Sequence, residues 1–336
     1  MKRDVTVREV AEKAGISIAT VSRVLNNNHP VSQDTRQRVL DAVAELNYHT
    51  NIMARSLRGY RSKIIAVVTP DISNDFFMYV VKGIETVFEK SDFCLLIAST
   101  NGDAEKEEKL LSTLIERRVD GLVIASANTN AAKINDCIAR GIFTVLIDRA
   151  VPGAMAPSIV SSNVETTRRL IGLLLDAGHR DIGIINVSLT NAVGVARLGG
   201  YKEALAQAGI PLREAYISQP NFTVQDGRDS ILKMLDLPTP PTALYCANNR
   251  MTEAALSVFG ERGLKVGQDI SLVSFGTFSV NRFLYSTITV AQDDGIAMGQ
   301  HAAQYLFRQL SGEQGKMPDI VLNVDIKIGD SIRQLP

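Results

Sequence analysis

The 336-residue sequence lacks several features of a membrane-bound or exported protein. No charge-free apolar run reaches the roughly 18 residues of a membrane-spanning helix, and the N-terminus has no apolar core of a secretory signal. Cys94, Cys137 and Cys246 lie far apart, so neither a disulfide framework nor a zinc-ligand spacing is present. An odd number of cysteines suits a reducing compartment. We therefore expect a cytoplasmic protein without a membrane partner, whose cysteines are buried small side chains.

The signatures of common enzyme classes are also lacking. No G-x-G-x-x-G or Walker-type loop follows the first apolar run, and neither G-x-S-x-G nor H-E-x-x-H occurs. The four histidines are scattered, and His179 lies in an AGHRDIG turn whose loop it is expected to order. Doubly wound folds host many reactions, but this sequence predicts a protein that is not an enzyme and has no metal site and no cofactor.

The net charge of zero hides an uneven distribution. Residues 1–61 hold ten Lys or Arg against six Asp or Glu, whereas residues 62–336 hold 26 against 30. A basic head on a mildly acidic body indicates an electrostatic contact with nucleic acid that is confined to the head.

Residues 5–47 are patterned as three short helices. Thr6 and Glu9 have the spacing of a capping box at the start of the first helix. Gly15 follows that helix, and glycine readily adopts the positive φ of a tight turn. The first helix is predicted to follow Thr6 and to be interrupted at Ala14-Gly15-Ile16, and the next two are predicted at 18–26 and about 33–46. The predicted buried residues of the third are Val39, Leu40 and Val43. Two helices joined by a glycine turn and braced by a third predict a helix-turn-helix module.

From Ile64 the pattern changes to short runs rich in Val, Ile and Leu, most of them separated by amphipathic stretches of helical length. Such strands predict parallel sheets that are covered on both faces. The fold class is therefore a small all-α helix-turn-helix head plus an α/β body of two doubly wound parallel-sheet subdomains. The predicted divisions are 1–48 for the head, 49–62 for a hinge helix and linker, and 63–336 for the body, with an N-subdomain of about 63–161 plus 293–323 and a C-subdomain of about 162–292 plus 324–336.

The head resembles a known family with unbroken spacing. VREVAEKAGISIATVSRVLNNNHPVSQDTRQRVLDAVAELNY, residues 7–48, resembles the head of the lactose/galactose repressor family, and ARSLRG, residues 54–59, resembles its hinge helix. The resemblance implies a homodimer whose two heads bind the halves of a palindromic operator in double-stranded DNA. It also implies that Leu57 of each hinge enters the minor groove, where an apolar wedge partly unstacks one base step and kinks the duplex.

Side chains near the helix starts and in the hinge are the candidate DNA contacts. The second helix of such a module enters the major groove, where Arg23 suits guanine and Ile18 suits a thymine methyl group. Short hydroxyl groups near helix starts can hold phosphates as well as cap the helices. The predicted DNA-binding residues are Thr6, Ser17, Ile18, Ala19, Thr20, Ser22, Arg23, Asn26, Ser32, Thr35, Tyr48, Asn51, Ala54, Arg55 and Leu57.

The body has polar and aromatic side chains just beyond its predicted strands, where open α/β sheets bind ligands. Aromatic faces over a few convergent polar groups make a small-molecule site. The arrangement resembles periplasmic sugar-binding proteins of the ribose-binding type, to which the body of this repressor family is related. That resemblance implies a monosaccharide effector bound by Asn74, Phe76, Phe77, Asp148, Arg149, Arg197, Phe222, Asn248 and Gln292.

One position departs from the resemblance. The family usually has an aspartate after the strand ISLVSF, whereas this chain has Gly276. The extra space favours a ligand somewhat larger than ribose, or a ketohexose such as psicose. The alternatives for a residue that compensates for the missing carboxylate are Thr277, Ser279 or Asn281.

The expected function is repression of a carbohydrate-uptake or catabolism operon, relieved by an unphosphorylated monosaccharide of the ribose, allose or psicose type. A phosphorylated sugar is the main alternative, because Arg149 and Arg197 are able to bind a phosphate. A corepressor-dependent regulator is a further alternative. The chain stops at Pro336 without an appended heptad helix, which favours a dimer over a tetramer.

Overall fold

The computed structural model divides the chain into two compact units, residues 1–62 and residues 63–336. The smaller unit is helical, and the larger one alternates strands with helices. The residues described are 5–26, 30–48, 61–127, 131–190, 192–220, 223–276, 281, 284, 286–313, 315 and 317–336.

The smaller unit contains the predicted helices, which are α1 (Val7–Ala14), α2 (Ile18–Asn26) and α3 (Gln33–Glu45). The capping box is present, because the Glu9 N–H donates to the Thr6 hydroxyl at 3.3 Å and the Thr6 N–H donates to the Glu9 carboxylate at 2.7 Å. Gly15 ends α1 with a φ of 67°. The Arg38 guanidinium donates to the Ala14 carbonyl at 2.5 Å, so α3 braces the turn.

The core of the head is a small apolar cluster. Its buried members are Val10, Ala11, Ala14, Val21, Val24, Val39 and Ala42. The third helix reaches this cluster through Val39 and Ala42, which lie three residues apart and so share one face. Leu40 lies on a different face and is 46% exposed, so the prediction of a buried Leu40 was wrong.

Strands and helices alternate through the larger unit. The strands are β1 (Ile64–Thr69), β2 (Cys94–Ser99), β3 (Gly121–Ile124), β4 (Phe143–Asp148), β5 (Ser158–Ser161), β6 (Ile182–Ile185), β7 (Ile217–Ser218), β8 (Ala243–Cys246), β9 (Ser271–Phe275), β10 (Thr289–Gln292), β11 (Ile320–Leu322) and β12 (Asp325–Lys327). The helices are α4 (Asp75–Phe88), α5 (Ala104–Glu116), α6 (Ala131–Ala139), α7 (Asn163–Asp176), α8 (Ala192–Gln207), α9 (Val224–Leu235), α10 (Asn249–Arg262) and α11 (Gly295–Leu310).

The strands form two sheets. The sheet of the N-lobe has the order β11-β5-β4-β3-β1-β2, and each neighbouring pair is parallel. The sheet of the C-lobe has the order β12-β10-β9-β8-β6-β7. Its pairs are parallel except β10 with β12. The chain leaves the C-lobe at the end of β10 and re-enters it at that same end as β12, so these two strands run in opposite directions.

Each sheet is buried on both faces. In β1, Ile65 and Val67 belong to one apolar cluster, whereas Ala66 and Val68 belong to another. The alternation follows from the two-residue period of a strand, and it explains why the sequence shows continuous apolar runs. The predicted fold class, a helix-turn-helix head with an α/β body of two subdomains, is confirmed.

The cysteines differ in their exposure. Cys137 and Cys246 are buried, as expected, but Cys94 is exposed. Cys94 begins β2, which lies at the edge of the N-lobe sheet and has a neighbouring strand on one side only. The expectation of burial was therefore wrong for Cys94, because an apolar run does not reveal which strand will lie at an edge.

The chain passes between the lobes at three places, after β5, after β10 and after β11. The second passage leads into α11, which packs on α4 of the N-lobe. A Cβ on Gly299 of α11 would lie only 2.0 Å from the carbonyl oxygen of Val80. Close approach of these helices therefore requires a glycine at 299, and α11 holds the second passage firmly to the N-lobe.

His179 is fully buried in the C-lobe. Its Nδ1 pairs with the hydroxyl of Thr242 at 2.8 Å, and its Nε2 pairs with the hydroxyl of Ser271 at 2.8 Å. Burial lowers the pKa of His179 below its ordinary value of 6.5. The folded protein therefore holds a neutral imidazole at neutral pH.

This buried imidazole predicts a pH-dependent loss of stability. The unfolded chain takes up a proton at His179 near pH 6.5, before the folded chain does, so the stabilisation is complete above that pH and is lost as the pH falls through the lower, folded pKa. Melting temperatures measured between pH 7.5 and 5.5 should fall more steeply for the wild type than for His179→Gln, which does not titrate. Parallel curves would contradict the prediction.

Candidate functional site

A cavity of about 300 Å³ opens between the two lobes of the larger unit. This volume lies at the small end of the range for small-molecule sites, roughly 300–1,000 Å³. The predicted effector residues that line it are Asn74, Phe76, Phe77, Asp148, Arg149, Arg197 and Asn248. The structure thus brings residues that follow β1, β4 and β8, together with one from α8, to a single cavity.

Several predicted residues do not line the cavity. Gln292 ends β10 opposite Asp325 of β12, and the next residue, Asp293, lines the cavity instead. Asn281 is engaged with the backbone of Ile288, to which it is bonded at 2.8 and 3.1 Å, and it is absent from the lining. Phe222, Thr277 and Ser279 lie outside the described residues.

The loop after β1 contributes an amide and two aromatic rings. Asn74 caps α4, because its side-chain oxygen accepts a hydrogen bond from the Phe76 N–H at 3.1 Å. The rings of Phe76 and Phe77 meet edge to face, with their centroids 5.2 Å apart. Both rings are largely buried and present apolar surface at the cavity.

Asp148 and Arg149 form an ion pair at the end of β4. The Asp148 carboxylate accepts bonds from Nε and Nη2 of Arg149 at 3.0 and 2.7 Å. Asp148 has a φ of 66°, a left-handed conformation that costs a residue other than glycine about 1–3 kcal/mol and is typical of functional sites. Burial raises the pKa of nearby Glu107, although hydrogen bonds from Ser126 and the Ala127 N–H and the positive charge of Arg149 oppose this.

Arg197 is buried on α8 and is held on three sides. Its guanidinium lies 3.5 Å from the centre of the Phe275 ring. Its Nε donates to the side-chain oxygen of Asn163 at 2.8 Å, and its Nη1 donates to the carbonyl of Ala247. Asn163 begins α7 immediately after the first passage between the lobes. Asn163 therefore connects a ligand bound by Arg197 to that passage.

A group of polar contacts joins the lobes across the cavity, and we call it the cross-lobe clasp. It consists of Asp71, Ser73 and Asn74 from the N-lobe with Asn249 and Arg250 from α10. The Asn74 and Asn249 amides bond to each other at 2.9 and 3.3 Å. Arg250 Nη2 donates to the Asp71 carboxylate at 3.2 Å and to the Ser73 carbonyl at 2.9 Å.

The Asp71 carboxylate remains ionised in the clasp. Burial alone would raise the pKa of Asp71, but hydrogen bonds from Ser73 and the adjacent Arg250 guanidinium outweigh burial and hold the pKa below its ordinary value. Most residues of the cross-lobe clasp were not predicted from the sequence. Arg250 follows Asn248 by two residues, but nothing in the sequence showed that it would reach the opposite lobe.

The charged side chains that line the cavity balance one another. Among the described lining residues, Asp71, Asp148 and Asp293 face Arg149, Arg197 and Arg250. Two of these acids are paired with two of the arginines. The described part of the lining therefore carries no surplus of positive charge.

The head presents its predicted DNA contacts at the start of α2. Ser17, Ile18, Ala19 and Arg23 are exposed there, with Ile18 exposed by 43%. Thr6 and Ser32, which cap α1 and α3, are exposed as well. The predicted contacts that are half-buried are Thr20, Ser22, Thr35 and Tyr48. Outside the description lie Asn51, Ala54, Arg55, Leu57 and the side chain of Asn26.

Two further observations concern the described residues alone. They contain no group of three or more His, Cys, Asp or Glu side chains arranged to hold a metal ion. None of their helices combines the length and the apolar character needed to cross a membrane.

Comparison with known families agrees with both parts of the chain. The family described as bacterial regulatory proteins, lacI family, matches residues 6–51. The family described as periplasmic binding proteins and sugar binding domain of LacI family matches residues 62–325. The chain belongs to the LacI family.

Relatives cover nearly the whole of this LacI-family chain. It is 31% identical over 322 residues to the transcriptional regulator RegA of Clostridium saccharobutylicum, covering 96% of this chain and 97% of RegA. It is 30% identical over 331 residues to the ribose operon repressor of Haemophilus influenzae, covering 98% and 99%. A crystal structure of the lac repressor dimer bound to operator and the anti-inducer ONPF matches with a TM-score of 0.82 at 26% identity, covering 98% and 99%.

These matches establish the general role of the chain. It is a DNA-binding transcriptional repressor with a helix-turn-helix head and a periplasmic-binding-protein-like body of the sugar-binding kind. LacI-family repressors bind operator DNA and small-molecule effectors and act as dimers. The relatives are regulators rather than enzymes.

Proposed function

We propose that this protein represses a carbohydrate-uptake or catabolism operon and leaves its palindromic operator when it binds an unphosphorylated monosaccharide of the ribose, allose or psicose type. The observation that carries the proposal is the small cavity in whose described lining three arginines are matched by three aspartates. A neutral polyol can donate hydrogen bonds to carboxylates and accept them from guanidinium groups. A phosphorylated sugar would bring negative charge to a cavity that has no positive surplus among its described residues.

The shape of the lining supports the same ligand class. Phe76 and Phe77 supply an apolar surface of the kind that packs against the CH face of a sugar ring. The amide of Asn248 supplies further polar contact, since its oxygen caps α10 by accepting a bond from the Met251 N–H at 2.8 Å and its NH₂ group can serve as a donor. A cavity of about 300 Å³ suits one sugar ring.

The proposed mechanism couples the cavity to DNA through the positions of the lobes. Sugar bound between the lobes closes or rotates them, and in the dimer this changes the spacing of the two hinges. The hinge helix that the sequence predicts has about eight residues, and a helix of that length is marginal alone, so we expect it to lose its pairing when that spacing changes. The sugar must bind the released form more tightly than the operator-bound form, and the coupling is reciprocal.

The proposal is tested by selecting an operator from random duplex DNA with the full-length protein, and by then following release from it by fluorescence anisotropy. Ribose, allose and psicose should each be titrated beside ribose 5-phosphate. We expect release by at least one neutral sugar and a weaker effect of the phosphate ester. Release by the phosphate ester alone, or tighter operator binding with sugar, would contradict the proposal. The same full-length protein should elute from a sizing column at the size of a dimer.

A further inference from the structure

Gly276, at the end of β9, lines the cavity. Gly276 follows β9 with a φ of 92°, a conformation that residues with a side chain rarely adopt. A Cβ built on Gly276 would lie 3.4 Å from the Asn249 nitrogen and 4.0 Å from Oδ1 of Asp293. The carboxylate of Asp293 therefore faces the space that the absence of a side chain at 276 leaves.

The separation of these two residues is fixed by the sheet. The Gly276 N–H donates to the carbonyl of Ala291 in β10 at 2.8 Å, and Asp293 comes two residues later. Asp294, the next residue, caps α11 by accepting a bond from the Ala297 N–H at 2.9 Å. Asp293 is thus held between a paired strand and a capped helix, so its position does not depend on a loose loop.

Two other acids, Asp148 and Asp71, also line the cavity. Asp148 accepts two bonds from Arg149. Asp71 accepts bonds from Ser73 at 2.6 and 2.8 Å and from Arg250 at 3.2 Å. Asp293 is the acid whose Oδ1 is among the three heavy atoms nearest to a Cβ built on Gly276.

A guanidinium lies beside the same strand end. Phe275 immediately precedes Gly276, and the Arg197 guanidinium lies 3.5 Å from the centre of the Phe275 ring. Among the described residues, Arg197 forms no ion pair with a carboxylate. The end of β9 is therefore flanked by a cationic donor at Arg197 and an anionic acceptor at Asp293, which together match two neighbouring hydroxyls of a polyol, one accepting and one donating.

We propose that Asp293 determines effector specificity, by accepting hydrogen bonds from hydroxyls of a neutral sugar in the space above Gly276 and by repelling phosphorylated ligands. This inference rests on the proposed sugar-binding function and adds to it the residue that selects neutral over anionic ligands. Asp293 lies on the second passage between the lobes, so the same contact links ligand selection to the position of the lobes.

The test uses the full-length protein and isothermal titration calorimetry with ribose, allose, psicose and ribose 5-phosphate. Asp293→Asn keeps the shape but removes the charge. Its affinity for the neutral sugar should fall by roughly tenfold or more, because hydrogen bonds to charged groups are the strong ones. Its affinity for ribose 5-phosphate should rise relative to the neutral sugar. Asp294→Asn is the matched control, since it removes the same charge one residue away and still caps α11.

A second variant keeps the negative charge at position 293 but changes where the carboxylate lies. Asp293→Glu moves the carboxylate into the space above Gly276, so it should disfavour a hexose more than a pentose. The melting temperature without ligand checks that each variant folds. If the wild type binds a neutral sugar and both Asp293 variants match it in affinity and selectivity, the specificity role is wrong while the sugar-binding function stands. If the wild type binds no neutral sugar, the proposed function itself fails.

Discussion

Replacing Arg197 with alanine is expected to abolish the response to effector while leaving operator binding intact. Arg197 is a buried cation that lines the cavity, where its guanidinium is fixed by Phe275, Asn163 and the Ala247 carbonyl. Such a fixed donor can bind ligand hydroxyls without first losing conformational entropy. Loss of a charge-assisted contact in a closed site should raise the effector concentration for half-release by roughly a hundredfold or more.

The lysine variant separates charge from geometry. Arg197→Lys keeps the positive charge but loses the planar group that stacks on Phe275 and the Nε–H that bonds to Asn163. Since lysine does not replace a stacked, multiply bonded arginine, we expect it to behave nearly as poorly as alanine. A lysine variant with a normal response would show that charge alone matters at this position.

Both variants require a stability check and a control. Removal of the guanidinium leaves buried oxygens of Asn163 and Ala247 without their donor, at a cost of about 1–3 kcal/mol in folding free energy for each. Arg168→Ala is the matched control, because Arg168 lies on α7 and its ion pairs among the described residues are with Glu165 and Glu203 at the exposed surface. Parallel loss of operator binding and effector response in a folded Arg197→Ala protein would contradict the site.

The general fold could be predicted from the sequence because the patterns that indicate it lie within short segments of the chain. The Thr6–Glu9 capping box and the glycine at 15 define the head, and continuous apolar runs such as Ile64–Thr69 define strands that are covered on both faces. Features that depend on how distant segments pack together could not be predicted. Neither the edge position of β2, which exposes Cys94, nor the reversed direction of β12 follows from any local pattern.

The residues that line the cavity could be predicted from the sequence only in part. Residues that follow strands, such as Asn74, Asp148 and Asn248, were predicted because the carboxyl ends of parallel strands converge. Phe275 was missed because it lies within an apolar strand and resembles a core residue. At the end of β10 the choice between Gln292 and Asp293 depends on where the strand stops, which a sequence defines only to within a few residues.

Arg250→Ala is expected to weaken the response to effector by opening the cross-lobe clasp. Arg250 Nη2 reaches the Asp71 carboxylate, the Ser73 carbonyl and the Ser73 hydroxyl on the opposite lobe. Hydrogen bonds to charged groups contribute about 1.5–3 kcal/mol, and the partial exposure of this pair reduces that contribution. A net loss of about 2 kcal/mol corresponds to a roughly thirtyfold rise in the effector concentration for half-release.

The chain supplies a matched pair of variants for this prediction. Arg250 Nη1 also bonds to Glu253 at 3.1 Å, within α10 itself. Asp71→Asn and Glu253→Gln each remove one carboxylate from the same guanidinium, but only the first removes a contact between the lobes. We expect a shifted release curve for Asp71→Asn and an unchanged one for Glu253→Gln.

Reversal of the cross-lobe pair distinguishes lobe closure from direct contact with the ligand, because Asp71 and Arg250 both line the cavity. If their role is to hold the lobes together, the double variant Asp71→Lys with Arg250→Glu should recover much of the response that either single variant loses. If they act by touching the sugar, reversal should not restore it. An increased sensitivity to effector in Arg250→Ala would instead show that the clasp stabilises the operator-bound arrangement, because removing it would then favour release.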